Sequence, residues 1–438
     1  MTLKKFSLMI MFFIIIFYQN GFSNPVEIQY WHGHTGKLEK IINQIAKKWN
    51  SSQQKSILIP SSKGSYEDIL ATTIAAYKAD KHPHLVQVYD AGASIMISQV
   101  KNGVVLPFED MAKKYYIDFD KLDYIPRIRN FYADVNGKMI GIPFNSSTCL
   151  MYANMEILEH VGIHDVPKTY EEFELVAQRI KDAGFIPLLQ SHSPWIWVEN
   201  FFSRHNFLMT NHNNGYDDYP TKTLFSDTSE FIFHWKKVKE WKDKGWYQYL
   251  GRSWADNQAP FISGEAAFWL GSASSFSEMK NIVPNFTVNH IPYWKSITNG
   301  TEYPTFIGGA ANWILSGKSN EEYEELMKII DFMNSAELQL FYHNLSGYAA
   351  TTFSAIILAE NIGFYELSPF HKAVGEQLSL KGSTIPGGYR AGNWPQIREL
   401  IYENVHNILN NKISVKEGWK KTDDGASKLL KQFMKTQN

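Results

Sequence analysis

Cysteine is almost absent from this chain, since Cys149 is the only one among 438 residues. A single cysteine cannot form an internal disulfide, so the fold depends on its core and its hydrogen bonds even in an oxidising compartment. Cys149 lies in an apolar run, which favours a packing role over that of a catalytic thiol.

The chain also lacks an excess of charge of either sign. Residues 1–23 contain two lysines and no acidic residue, so the remainder carries 41 basic and 44 acidic residues. This near balance argues against nucleic acid or an anionic membrane surface as the main partner. The apolar content of 44% is that of a globular protein, and 438 residues exceed what one core usually serves. We therefore expect two lobes.

Long apolar runs are missing after the N-terminus. Within residues 1–23, two lysines precede the apolar stretch 6–17, and Gly21 and Ser23 follow with the spacing of a cleavage site. This pattern predicts a cleaved signal peptide of residues 1–23 and an exported, periplasmic protein. The apolar stretch is shorter than the roughly 20 residues of a membrane span, although an uncleaved N-terminal anchor stays open as an alternative.

Signatures of catalysis are missing as well. The sequence has no Gly-x-Ser-x-Gly elbow and no His-Glu-x-x-His helix, and its carboxylates are scattered. Residues 33–38 resemble a phosphate loop but lack its first glycine at the required spacing and the Ser/Thr that follows its lysine. His32 and His34 form a His-x-His pair with no acidic cluster to complete a metal site. We predict no catalytic residue, no metal and no cofactor, and thus not an enzyme.

Strand and helix patterns alternate along the first ninety residues, with strands at 26–31, 56–60 and 84–89 and helices at 36–50 and 66–79. Such alternation predicts a largely parallel α/β sheet. Later, capping boxes that begin at Thr169 and Ser319 predict helices to about residues 183 and 343.

One short segment has the composition of a binding loop. Residues 141–154 place Asn145, Ser146, Ser147 and Thr148 between two apolar runs, which predicts a strand, a short exposed turn and a second strand. The turn would offer amide, hydroxyl and backbone N–H groups to a small anion. An ordinary Ser/Asn-rich loop would have the same composition.

Further motifs occur in a fixed order with this one: Tyr30-Trp31-His32, Lys63-Gly64-Ser65-Tyr66-Glu67, Val86 to Gly92, Gly308 to Trp313, Ser346-Gly347-Tyr348 and Gly388 to Arg398. Together they resemble the periplasmic sn-glycerol-3-phosphate-binding proteins of bacterial ABC importers. That family is a branch of the extracellular solute-binding proteins, which include the maltose binders. The resemblance covers essentially the whole mature chain, and the motifs at 143–148 and 388–393 are the most specific to this branch.

The resemblance implies a type II periplasmic binding protein, with two α/β lobes joined by hinge crossings around a ligand cleft. Residues 24–145 plus 305–345 would form the first lobe, and residues 146–304 plus 346–438 the second. The protein would capture sn-glycerol-3-phosphate, or glycerophosphodiesters such as glycerophosphocholine, by lobe closure. It would deliver this ligand to an inner-membrane ABC permease with its cytoplasmic ATPase, and would act as a monomer.

The resemblance also implies a set of ligand-contacting residues, which are Tyr66, Asp90, Ser147, Trp195, Ser272, Gly309, Tyr348 and Arg398. Arg398 would give the phosphate a cation and a planar donor fork. The two serines would add hydroxyls and Gly309 a backbone N–H, while the tyrosines would wall the glycerol and donate to oxygen. Asp90 would accept from glycerol hydroxyls, and Trp195 would lie against the carbon chain.

Two positions depart from the family pattern. Asp90 stands where the family has glutamate, which shortens the side chain by about 1.5 Å. His192 stands where the family has a tryptophan. It is therefore a further candidate ligand contact, which would alter the range of ligands bound; alternatively, it belongs to a surface loop whose sequence has changed without effect on binding. Arg390 is expected to hold its own loop.

Two other functions stay open: a binding protein for a neutral oligosaccharide, and a secreted hydrolase of glycerophosphodiesters or glycosides.

Overall fold

The computed structural model describes residues 24–437, so the predicted signal peptide at 1–23 lies outside the described residues. Ten strands form two mixed sheets, and they are β1 (Val26–His32), β2 (Ser56–Ser62), β3 (Leu85–Tyr89), β4 (Val105–Leu106), β5 (Ile142–Ser147), β6 (Cys149–Asn154), β7 (Ile186–Gln190), β8 (Ala266–Ser272), β9 (Phe286–His290) and β10 (Gly308–Leu315).

Helices pack around both sheets. In chain order they are α1 (Gly36–Ser52), α2 (Tyr66–Lys78), α3 (Ala93–Ser98), α4 (Phe108–Lys114), α5 (Pro126–Phe131), α6 (Met155–His160), α7 (Tyr170–Asp182), α8 (Asn200–Arg204), α9 (Asn211–Gly215), α10 (Ser229–Lys244), α11 (Trp254–Ile262), α12 (Phe276–Met279), α13 (Lys295–Thr298), α14 (Asn320–Asn334), α15 (Ala336–Ser346), α16 (Phe353–Asn361), α17 (Phe364–Leu367), α18 (Pro369–Ser379), α19 (Trp394–Leu409) and α20 (Val415–Lys435). The alternation predicted for the first ninety residues is confirmed, with bounds shifted by at most two residues.

The first sheet has the strand order β2-β1-β3-β10-β4, with β5 also paired to β10, and the second has the order β7-β8-β6-β9. Only the pairs β1–β2, β1–β3 and β7–β8 are parallel. β10 runs antiparallel to its three partners, β3, β4 and β5, and β6 runs antiparallel to its two partners, β8 and β9. Strands β1 to β5 therefore share one direction and only β10 opposes them within the described residues, so the predicted largely parallel sheet is confirmed for the first sheet. In the second sheet β6 is the strand that opposes the others.

Residues 145–148 form a buried crossing between the sheets, so the predicted exposed turn is wrong. Asn145, Ser146 and Ser147 belong to β5 in the first sheet, and β6 begins in the second sheet one residue after Thr148. All four are at most 1% exposed. The Thr148 hydroxyl lies 2.7 Å from that of Thr305, so a polar side chain here serves the crossing itself.

The long helix predicted from Ser319 is two helices in the structure. Its capping box and that of Thr169 are both confirmed. The break falls at Ser335, whose φ of −59° and ψ of 144° are extended, and whose hydroxyl accepts from the backbone N–H of Leu338. A serine that caps a new helix start explains why a pattern continuous in hydrophobicity does not give one continuous helix.

Apolar packing is continuous between the sheets. One buried cluster includes Val88 and Ala311 of the first sheet together with Leu150 and Phe268 of the second. Cys149 is fully buried, which confirms its packing role, and burial raises the pKa of its thiol. Within residues 24–437 no helix is long and apolar enough to cross a membrane.

Candidate ligand cleft

A cleft with a volume of about 410 Å³ lies where the end of β3 and the start of β10 meet the end of β8. It brings together seven of the eight residues predicted from the sequence: Tyr66, Asp90, Trp195, Ser272, Gly309, Tyr348 and Arg398. Ser147 does not line it. The cleft also contains residues that the sequence reasoning missed, among them His34, Glu67, Tyr89, Trp254 and Ser274.

Tyr66 is fixed at one wall by the start of α2. It is the first residue of that helix, and Ser65 closes a capping box with Asp68 just before it. The ring stacks on Tyr89 with centroids 5.6 Å apart and planes at 8°. Asn145 Nδ2 donates to the Tyr66 hydroxyl at 2.9 Å, and the Tyr348 hydroxyl lies 3.3 Å away. Burial keeps the pKa of Tyr66 well above its ordinary value, so the hydroxyl retains a proton to donate.

A polar network supports Asn145 from behind. Gln87 Nε2 donates to Asn145 Oδ1 at 3.1 Å and lies 3.1 Å from His34 Nε2, while Gln87 Oε1 accepts from the backbone N–H of Gly33 at 3.0 Å. Burial lowers the pKa of His34 to about 3, which leaves its imidazole neutral at pH 7. The crossing residue Asn145 thereby orients a cleft tyrosine.

The serines form a short row of hydroxyls. Ser272 Oγ lies 2.6 Å from Ser147 Oγ and 2.9 Å from Ser274 Oγ. Ser147 is 1% exposed, so it stands behind Ser272 and not at the cleft surface. Ser272 and Ser274 are the hydroxyls of this row that line the cleft.

Two adjacent glycines open β10 at the cleft. Gly309 has a φ of +91°, and a Cβ there would lie 1.8 Å from the carbonyl oxygen of Asn145. A Cβ on Gly308 would lie 2.4 Å from Cζ2 of Trp195, so the indole packs directly on the glycine backbone. The indole Nε1 of Trp195 is buried and has no hydrogen-bond partner within residues 24–437.

Arg398 of α19 is held by two carboxylates. Its Nε and Nη2 donate to Glu199 Oε1 and Oε2 at 2.7 and 2.8 Å, and Nη2 also bonds Asp90 Oδ2. Asp90 follows the first sheet's β3, whereas Glu199 ends the π-helical turn Pro194–Glu199. The sequence reasoning missed Glu199, although a lone carboxylate inside an apolar, aromatic run was a signal for it.

Glu199 is a fully satisfied buried carboxylate. It is 0% exposed, and its oxygens also accept from Trp394 Nε1 at 2.8 Å and from the Tyr389 hydroxyl at 3.1 Å. Burial raises the pKa of Asp90 to about 6; the negative charge of Glu199 acts in the same direction, and Arg398 opposes both. With both carboxyls ionised, the three groups sum to one negative charge.

His192 lies at the cleft wall with a left-handed backbone, φ +59°. Its carbonyl oxygen accepts from the backbone N–H groups of Trp195 and Ile196, both at 3.1 Å, and this begins the turn that carries Trp195. Its Nδ1 bonds the Tyr402 hydroxyl. Burial, with the nearby charge of Arg398, lowers the pKa of His192 well below its ordinary value, so a neutral ring faces the cleft.

Arg390 does hold its loop, as predicted. Its guanidinium donates to the carbonyl oxygens of Phe131, at 3.0 Å, and of Asn130, and lies 4.4 Å from the ring centre of Tyr216.

Of the residues that line the cleft, three are charged: Glu67, Asp90 and Arg398. The cleft is therefore walled by aromatic rings and neutral hydroxyls, and its cation is already paired.

Two mixed sheets joined by buried crossings, with a polar and aromatic cleft between them, are the architecture of a type II periplasmic binding protein. This agrees with the predicted fold class. The chain belongs to the family of bacterial extracellular solute-binding proteins, whose model matches residues 44–361.

Relatives of known function are similar along most of the chain. The sn-glycerol-3-phosphate-binding periplasmic protein UgpB of Rhizobium meliloti is 30% identical over 395 residues, which is 89% of this chain and 90% of the relative. The protein of the same name from Agrobacterium fabrum is 29% identical over 443 residues, 99% of each chain.

Solved structures share the fold at lower identity. UgpB of Mycobacterium tuberculosis in complex with glycerophosphocholine has a TM-score of 0.76 at 16% identity, covering 94% of this chain and 99% of that one. The GacH receptor of Streptomyces glaucescens, solved unliganded and with acarbose, has a TM-score of 0.77 at 17% identity, covering 93% and 99%. These relatives are solute-binding proteins and not enzymes, and the chain is the solute-binding component of an ABC importer.

Proposed function

We propose that this protein captures a phosphate ester of glycerol, sn-glycerol-3-phosphate or a glycerophosphodiester such as glycerophosphocholine, in the periplasm. The named relatives support this ligand class, because they are sn-glycerol-3-phosphate-binding proteins along nearly the whole chain. The cleft supports it too, since residues carrying the resemblance lie together there. The ligand would then pass to an inner-membrane ABC permease with its ATPase, with the binding protein acting as a monomer.

The observation that carries the proposal is that the cleft residues form hydrogen-bonded groups of unequal charge, Arg398 with its carboxylates and the neutral hydroxyls, which we take as the two ends of the cleft. At one end Arg398 is paired with Glu199 and Asp90, which leaves no undivided positive charge for a phosphate. A glycerol diol suits that end, because a hydroxyl can donate to Asp90 and accept from the guanidinium.

Neutral donors gather at the other end, where the phosphate would lie. They are the hydroxyls of Tyr66, Tyr348, Ser272 and Ser274, with the backbone at Gly309. Because Asn145 donates to the Tyr66 oxygen, the tyrosine proton is available to a phosphate oxygen. Trp195 would lie along the carbon chain between the ends. This division moves the phosphate away from Arg398, where the sequence alone had placed it.

Capture would proceed by closure of two lobes around the ligand. We take the first lobe as residues 24–145 plus 305–345 and the second as 146–304 plus 346–438, the division that the resemblance implies. The chain passes between the sheets at Thr148 and again between β9 and β10, close to two of these bounds. Asp90 and Tyr66 belong to the first lobe, and Arg398, Trp195 and Ser272 to the second. A ligand that contacts both stabilises the closed state.

Isothermal titration of the chain from Asn24 with sn-glycerol-3-phosphate, glycerophosphocholine and maltose tests the proposal. We expect saturable binding of a phosphate ester, and a loss of about 2–5 kcal/mol in Arg398→Ala, because Asp90 and Glu199 are left unpaired beside the ligand. Arg179→Ala removes an exposed arginine of α7 and serves as the matched control. Thermal unfolding of each variant checks that it folds. Equal affinity of Arg398→Ala and the parent would contradict the assigned site.

A neutral oligosaccharide is the second candidate, and one observation favours it. The cation of the cleft is paired with carboxylates, and Tyr66, Tyr89, Trp195 and Trp254 supply aromatic faces of the kind that stack on sugars. Binding of maltose with no heat from either phosphate ester would support this candidate and overturn the first.

A further inference from the structure

We infer that Glu199 is a positioning residue that, acting through Arg398, decides which part of the ligand lies at that end of the cleft. The inference rests on the function proposed above. Glu199 does not line the cleft itself; Arg398 does. Its two oxygens hold Nε and Nη2 of the guanidinium at 2.7 and 2.8 Å, which fixes the plane of the fork.

The carboxylate is itself locked in place. Trp394 Nε1 donates to one oxygen at 2.8 Å and the Tyr389 hydroxyl to the other at 3.1 Å, so four donors satisfy a side chain that is 0% exposed. A buried carboxylate with this many donors does not swing away from its partner. Arg398 therefore faces the cleft in one orientation, with Nη1 making no hydrogen bond to any other residue in 24–437.

The same contact cancels the charge of the guanidinium. Asp90 adds a second carboxylate on the cleft side, so a phosphate oxygen beside Arg398 would meet one cation and two anions. At the low dielectric of a buried site this repulsion outweighs what one donor edge offers an anion. A hydroxyl meets no such penalty. Glu199 thus keeps phosphate out of this end and admits the uncharged diol.

Other ionisable groups at this end of the cleft do not offset the negative charge of the two carboxylates. The hydroxyls of Tyr89, Tyr389 and Tyr402 have raised pKa values because they are buried, so they stay neutral at pH 7. Burial likewise keeps His192 neutral. Glu67 also lines the cleft and adds a further negative charge.

Glu199→Gln tests the inference, since the amide keeps the shape but carries no charge. Its oxygen can still accept from Trp394 Nε1 and Arg398 Nε, while its NH2 group replaces the oxygen that faces Arg398 Nη2 and the Tyr389 hydroxyl. Isothermal titration measures the dissociation constants of glycerophosphocholine and of inorganic phosphate for parent and variant. We expect the ratio of the two constants to shift about tenfold or more toward inorganic phosphate. Glu399→Gln, an exposed carboxylate one residue after Arg398 on α19, is the matched control and leaves the ratio unchanged.

The ratio separates positioning from general damage, because loss of structure weakens both ligands together. Asp90→Asn is the second variant; it removes the other carboxylate without disturbing the buried one, and it should shift the ratio in the same direction. An unchanged ratio in both variants, with a parent that binds glycerophosphocholine, overturns the inference alone. A parent that binds no phosphate ester overturns the proposed function, and the inference with it.

Discussion

Asp90 shows how one side chain connects the two sides of the cleft. It lies in the turn after β3, is 6% exposed, and bonds the guanidinium of Arg398 from the opposite side. A glutamate at this position would reach about 1.5 Å further. With aspartate, the carboxyl meets Arg398 directly, so a diol bound here shares both groups. Arg398 is thus the hydrogen-bond partner of this shorter side chain.

The raised pKa of Asp90 predicts a pH-dependent cost to stability. Because burial raises the pKa of Asp90 to about 6, the folded protein keeps the carboxyl proton at pH values at which the unfolded chain has lost it. The contribution of Asp90 to stability is therefore full below about pH 4 and is lost as the pH rises toward 6. Relative to Asp90→Asn, the parent should lose on the order of 2 kcal/mol over that range.

Urea unfolding of the parent and of Asp90→Asn at intervals from pH 4 to pH 7 measures this difference. The asparagine variant serves as its own reference because its amide does not titrate. Parallel stability curves for the two proteins over this range would show that Asp90 titrates normally in the fold.

At the scale of elements, the pairing of β5 with β10 joins the crossing to the cleft. The register shifts between Ala310 and Ala311, and Gly309, which pairs with Ser146, takes a left-handed φ and lies close to the carbonyl oxygen of Asn145. That close approach leaves the Asn145 side chain free to donate to Tyr66. The strand pairing and the orientation of a cleft residue therefore depend on one backbone contact.

Gly309→Ala should disturb both the pairing of β5 with β10 and the orientation of the cleft residue Tyr66. A Cβ would meet the Asn145 carbonyl oxygen at 1.8 Å, and backbone atoms of a buried strand cannot move aside cheaply. We expect a loss of about 1–3 kcal/mol or more in unfolding free energy, with weaker ligand binding, by denaturant melts and titration. Gly137→Ala, with φ +80° and nothing within 4 Å of the added Cβ, is the matched control for the left-handed backbone alone. Equal losses in both variants would mean that the contact is unimportant.

At the scale of the whole molecule, one of the bonds between the proposed lobes lies beside the cleft. Lys37, at the start of α1, donates its Nζ to the carbonyl oxygen of Ser277 in α12 at 3.2 Å. This bond can form only when the two sides approach each other, so it reports on closure and contributes to it.

Lys37→Ala should therefore weaken ligand affinity by about 0.5–1.5 kcal/mol without touching the cleft. Small-angle scattering with subsaturating ligand should show a larger radius of gyration than for the parent, because fewer molecules are closed. Lys40→Ala, an exposed lysine one turn further along α1, is the control. Unchanged affinity and scattering in Lys37→Ala would show that the bond does not bias the open and closed states.

Local sequence signals predicted the elements that depend on local physics. The capping boxes at Thr169 and Ser319 and the first five elements agree with the structure, because side chains within a few residues decide them. The break at Ser335 was missed, because hydrophobic spacing alone does not show where one residue with an extended backbone interrupts a helix. The direction of β10 was missed too, since strand orientation depends on residues far away in the chain.

The sequence by itself determined the motifs, the fold class and seven of the residues that meet in the cleft. What only the tertiary structure decided is which of those groups have their charge and hydrogen bonds already committed. Arg398 reads as a free cation until Glu199, 199 positions away in the chain, is seen against it. Asn145 reads as a loop residue until β10 buries it. Both outcomes depend on long-range packing, because a buried group takes its chemistry from whichever partners the fold brings into contact.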